Sequence, residues 1–208
     1  MIPMDALIPF ALASLLLALA PGPDNLFVLT ESALSGPLAG LAVTLGLCTG
    51  LLLHTSAVAL GVAAIFQVSA LAFTLLKLVG AGYLLYLAWQ AWRAPAASLP
   101  TAAATPPALG RLYRRGIVMN VTNPKVSIFF LAFLPQFADP ARGPIWLQIG
   151  LLGGVFILST IVVFGAIAGL AGSIGQWLRR RPGVQRLMNR LAGLVFLGLA
   201  LKLATARR

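Results

Sequence analysis

Two short runs hold the residues best suited to do chemistry. In the first, Pro21, Gly22 and Pro23 lead directly into Asp24 and Asn25. In the second, Asn120, Asn123, Pro124 and Lys125 precede the apolar run SIFFLAFLPQF. Aspartate accepts hydrogen bonds and can hold a proton or a cation. Lysine donates three bonds, and asparagine both donates and accepts. Together they suit a small zwitterion such as an amino acid, whose ammonium and carboxylate need opposite partners. Proline breaks a helix by removing a backbone donor, and the ends of half-helices carry partial charges that bind the same groups. A charge at the centre of a bilayer costs ~2.5–3.5 kcal/mol on the milder insertion scales, so two such places in an apolar chain need a reason. Broken helices at matching depth in two halves are the usual sequence pointer to a transporter's binding site. The competing explanation is a static Asp24–Lys125 ion pair that only orders the helices.

Other residues are less specific. His54 is the single histidine, on the helical row Gly46, Gly50, His54. Its titration range suits a proton relay, and a hydrogen-bonded core histidine is the alternative. Lys77 lies near Gly80, Gly82, Tyr83 and Tyr86, with a substrate path and structural pairing as its two explanations. Gln136 marks, with Pro135, the outer end of its helix. Cys48 stands alone, which excludes an intramolecular disulfide, a CxxC pair and a cysteine-built metal site. No cofactor is expected: one Cys and one His cannot supply a transition-metal cage, and no P-loop is present. A membrane-embedded enzyme, or a six-helix metal or redox protein, is the alternative class. No G-x-S-x-G or H-E-x-x-H motif supports the enzyme.

The elements that must position these residues are membrane helices. The 208-residue chain is 60% hydrophobic and only 9% charged, too little charge to cover a water-facing surface. Spans of about 20 apolar residues fall at roughly 5–29, 38–63, 67–92, 116–137, 145–176 and 190–205. The 145–176 run is long enough to predict a bent or interfacial portion. The first span resembles a signal peptide, but MIPMDA lacks the positive charge of a secretory n-region, so a retained helix is expected. The net charge of +11 does not imply nucleic acid, because the arginines cluster in short loops beside the spans, where they favour anionic membrane lipid.

The same arginines set orientation. Arg93, Arg111, Arg114 and Arg115 fall in one loop, and Arg179, Arg180, Arg181, Arg186 and Arg190 in another on the same side. Arg142, Arg207 and Arg208 fall on the opposite side, so nine against three predicts that both termini lie outside the cytoplasm. The expected architecture is an all-α, polytopic membrane protein of six transmembrane helices, a 3+3 inverted repeat with helices 1 and 4 broken. A single transmembrane domain would comprise residues 1–93, a Pro/Ala/Thr linker at 94–113 and residues 114–208. At 1.5 Å per residue, Asp24 and Lys125 lie roughly 10 and 14 Å from the inner ends of their helices. Glycines four apart, Gly36 with Gly40, Gly46 with Gly50, and Gly165 with Gly169, allow close helix packing within the chain or across a homodimer.

PGPDNLFVL at 21–29, LKLVGAGYLLYLAWQAWR at 76–93 and RRGIVMNVTNPKVSIFFLAFLPQF at 114–137 resemble the LysE/RhtB family of amino-acid exporters. The resemblance covers nearly the whole chain. It implies a bacterial inner-membrane protein that exports amino acids or related metabolites using the proton-motive force. Asp24 falls on the aspartate of the PGPD motif, and Asn123, Pro124 and Lys125 fall on the NPK motif. The first cytoplasmic loop departs from the family, where it is commonly basic; here it carries Glu31 and no Lys or Arg.

Overall fold

The computed structural model describes residues 2–68, 70–95 and 107–205. The described residues form helices and connecting turns. The first apolar run makes α1 (Met4–Leu19) and α2 (Pro23–Ser35), which meet at an angle of 57°. Long helices follow, α3 (Pro37–Val68) and α4 (Ala70–Arg93). The second bent pair is α5 (Leu109–Val121) and α6 (Pro124–Ile128), the latter prolonged by a π turn at Phe129–Phe133 and a 3-10 turn to Phe137. Its two arms meet at 50°. The chain closes with α7 (Ile145–Arg180) and α8 (Pro182–Thr205).

Parts of α3, α7 and α8 are each long and apolar enough to cross a membrane, and each bent pair makes one further span. With 24 residues, α4 reaches ~36 Å and is the sixth helix of membrane-spanning length. The long 145–176 run, expected to include a bent or interfacial portion, forms α7, which continues without a break for 36 residues, ~54 Å, more than a bilayer core requires. The linker expected at 94–113 falls mostly outside the described residues, and α5 begins at Leu109, before that linker's end.

Side-chain size decides which faces meet. On α1, Ile8, Leu12, Leu16 and Leu19 are exposed along one stripe, while Phe10, Ala13, Ser14 and Leu17 are buried on the other. The buried face packs on an aromatic core of Phe129, Phe130, Phe133, Phe137 and Phe156. Phe129 stacks on Phe133 at 4.8 Å and meets Phe156 at 5.1 Å between ring centroids. Helix α3 lies close against α5, where Gly46 sits against the Tyr113 carbonyl and Gly116 against that of Val43. These glycines serve packing within the chain, whereas Gly165 and Gly169 face open space.

The packing has the pattern of two related halves. The first bent span packs on α7, and the second packs on α3. The partners α3 and α7 pack on each other, as do α4 and α8. Exchanging the two halves leaves this list unchanged, as a 3+3 inverted repeat requires.

Candidate functional site: the two helix breaks

Buried hydroxyls along the helices satisfy themselves. Ser14, Ser32, Thr44 and Thr55 each donate to the carbonyl four residues earlier, at 2.6–2.8 Å. The exceptions gather at the breaks. Five buried side-chain polar atoms among the described residues make no hydrogen bond, and four belong to Asp24, Asn25, Asn120 and Asn123. The fifth is Ser35 Oγ. A buried polar atom without a partner costs ~1–3 kcal/mol, so four in one region are an expensive arrangement.

Each break is built from local sequence. Ala20 closes α1, and Pro23 opens α2 at its first turn, where proline's missing N–H costs nothing. Asp24 follows in that first turn, where the helix dipole favours a carboxylate. At the second break, Asn123 caps α6: its Oδ1 accepts from the Lys125 N–H at 3.0 Å, and Pro124 takes the first helical position. That bond leaves Asn123 Nδ2 as the unpartnered donor. Asn25 Nδ2 donates to the Ala18 carbonyl at 2.6 Å, which leaves its Oδ1 as an unpartnered acceptor.

Lys125 joins the two breaks. Its Nζ donates to the carbonyls of Ala20 at 3.3 Å and Leu17 at 3.5 Å, so the cation of the second half sits on the negative end of α1. Asp24 is its acidic neighbour, and Asn120 and Asn123 are the polar side chains beside Asp24. The two charges do not form an ion pair within 4.0 Å; among the described residues the pair at that distance is Arg142 with exposed Asp139. Asp24 and Lys125 are only 4% and 7% exposed, so neither charge is relieved by bulk water. Gly22 makes room for this junction, since a Cβ there would lie 3.0 Å from Lys125 Nζ.

His54 reaches the site from α3. Its Nε2 lies 3.2 Å from the Asn120 carbonyl, and its ring packs on Phe130. A carbonyl only accepts, so Nε2 is the protonated nitrogen and Nδ1 is left over. Gly50 lies one turn earlier on α3, and a Cβ there would come within 2.6 Å of Asn120 Oδ1. Lys77 is half-buried on α4 and does not line the cavity beside the breaks.

A cavity of about 490 Å³ opens beside the breaks. Pro21, Gly22, Pro23, Asn123, Pro124 and Lys125 form one end. Tyr83, Trp89, Gln90 and Arg93 of α4, with Asn189 and Phe196 of α8, line the rest. Asp24, Asn25, Asn120 and His54 do not line it. Asn189 Nδ2 donates to the carbonyls of Ala94 at 3.3 Å and Pro95 at 3.4 Å, just beyond the end of α4. The cavity therefore runs from the arginine-bearing ends of α4 and α8 to the breaks. Asn189 and Gln90 carry no signal of this role in the sequence, because they come into the site only through α4 packing on α8.

Two broken spans, joined by a buried lysine and bordered by a cavity, make this a helical membrane protein with a polar site at its helix breaks. The comparisons give the family: the chain belongs to the LysE type translocators, whose family model matches residues 15–207. It is 38% identical over 199 residues to the homoserine/homoserine lactone efflux protein of Salmonella typhimurium strain LT2, covering 95% of both chains. It is 36% identical over 199 residues to an uncharacterized membrane protein of Vibrio cholerae, covering 95% of this chain and 96% of the relative. No solved structure matches it.

Proposed function

We propose that the protein is a secondary exporter of amino acids or related small zwitterions, working by proton antiport across the cytoplasmic membrane. The observation that carries this reading is the set of unpartnered buried atoms at the two breaks. Asp24 Oδ1, Asn25 Oδ1 and Asn120 Oδ1 are acceptors, and Asn123 Nδ2 is a donor. An ammonium group brings three N–H donors and a carboxylate brings acceptors. An amino acid offers both and would satisfy the atoms that the fold leaves without partners. Relatives are named for homoserine and homoserine lactone efflux, which fits a small polar substrate of this kind.

The carboxylate of Asp24 would carry either the substrate ammonium or a proton, and the exchange between them couples export to proton inflow. His54, whose Nε2 is held by the Asn120 carbonyl, would act as a relay to the same region. Alternating access would follow from rocking one three-helix half against the other about the breaks. Asp24→Asn tests this assignment. Export should fall at least tenfold while membrane abundance falls much less. Normal flux in the variant would make Asp24 a structural residue.

A further inference from the structure

The two sides of the breaks are closed differently. Successive spans alternate in direction, so the start of α1, the end of the second broken span and the start of α7 share one side. The end of α4 and the start of α8, where the cavity begins, share the other. On the first side Phe10, Phe129, Phe130, Phe133, Phe137 and Phe156 fill the space beyond the breaks, each at most 8% exposed. Phe10 is the phenyl ring that the first half adds to this group. It meets Phe137 at 5.1 Å and Phe129 at 6.0 Å between ring centroids. Lys202 of α8 lies over the Phe137 ring at 4.3 Å. Gly80 of α4 packs against Ala132 of the π turn and Leu203 of α8, with no room for a Cβ. A cavity on one side of the breaks thus faces a packed plug on the other.

The inverted repeat sharpens the contrast. Pro23 and Pro124 hold the same place in their breaks, so Asp24 corresponds to Lys125. In that register Phe129, Phe130, Phe133 and Phe137 correspond to Val28, Leu29, Ser32 and Gly36. Rings close one side, and smaller residues stand in their places on the other. Opening the ring side to water would expose aromatic surface, the larger hydrophobic cost. The state that costs less to open is the more populated one. From this we propose that Phe10, with the rings of the second broken span, gates the side on which α1 begins, and that the molecule rests open at the arginine-bearing ends of α4 and α8. Solute is loaded from the open side, and the rings part only in the opposite state. This inference rests on the export reading for its use and on packing for its geometry.

The test is thiol labelling of the full-length chain in right-side-out and everted membrane vesicles, with Cys48→Ala as the parent background and Tyr83→Cys as the reporter. Tyr83 lines the cavity ~15 Å from the end of α4. The probe is sulfonatoethyl methanethiosulfonate, which does not cross the bilayer. It should label the reporter in one vesicle orientation and at least about tenfold more slowly in the other. Phe10→Ala should bring the two rates within about threefold of each other, with Phe10→Leu in between. Phe164→Leu alters a buried ring in the separate cluster with Val43 and Leu47. It should leave labelling one-sided, which separates gating from a general loss of packing. In counterflow, the KM for homoserine should be lower on the side that labels fast, and Phe10→Leu should narrow that difference. Fast labelling of the reporter from both sides, labelling from neither, or a one-sided pattern unmoved in whichever Phe10 variant inserts would overturn the gate and leave export intact. Labelling needs no transport, so the expected pattern without any flux would overturn export and leave the gate standing.

Discussion

Lys125 is the residue on which the site turns. Taking an ammonium out of water costs several kcal/mol, and here two helix-end carbonyls and a nearby carboxylate offset that cost. Gly22 guards the arrangement. Its φ of −171° is ordinary extended backbone, so alanine is tolerated there by the backbone and opposed only by Lys125 Nζ. Gly22→Ala should therefore displace the lysine, cutting export severalfold while the thermal midpoint in detergent drops only slightly. Unchanged transport in that variant would show that the position of Lys125 does not matter. The residues that gather here were legible in the sequence, because breakers and charges in apolar runs are signals of residue type. The partners of Lys125 were not. They are backbone carbonyls more than a hundred residues away, brought close only by packing.

Among the elements, the second broken span differs most from a plain helix. After Asn123 restarts it as α6, the backbone widens into a π turn and then tightens into a 3-10 turn around Pro135. Proline has no N–H to give to the ladder and its ring crowds the carbonyl four residues back, so the regular register cannot continue through it. The sequence marked where the helix would end, but the π turn has no composition of its own to announce it. The turn places Ala132 against Gly80 of α4, so that a Cβ at Gly80 would collide with the Ala132 methyl, whereas Gly82 faces open space. Gly80→Ala should cost ~1–3 kcal/mol through overpacking. Gly82→Ala should be neutral or stabilise by up to ~1 kcal/mol, the helix-propensity gain. Thermal midpoints of the two variants check the pair, and equal shifts would mean that α4 does not bear on the π turn.

At the scale of the whole molecule, the six-helix count and the division into two halves were readable from hydropathy and from the odd number of helices per half. The exchange symmetry of the packing appears only in three dimensions, since the halves share little sequence beyond their breaks. The fifth span continues as one helix beyond what the bilayer core requires, which leaves room for the interfacial portion expected of so long a run. From the arginine count we propose that both termini lie outside: cysteine labelling at the C-terminal tail should occur from outside intact cells, and protection of that tail would reverse the assignment. The central claim, proton-driven export of an amino acid, is tested most directly by homoserine uptake into everted membrane vesicles, whose interior corresponds to the outside of the cell. Uptake should rise severalfold under an acid-inside gradient, collapse with an uncoupler and be lost with Asp24→Asn. Uptake that ignores the uncoupler while the membrane potential is clamped would contradict antiport and leave a passive facilitator.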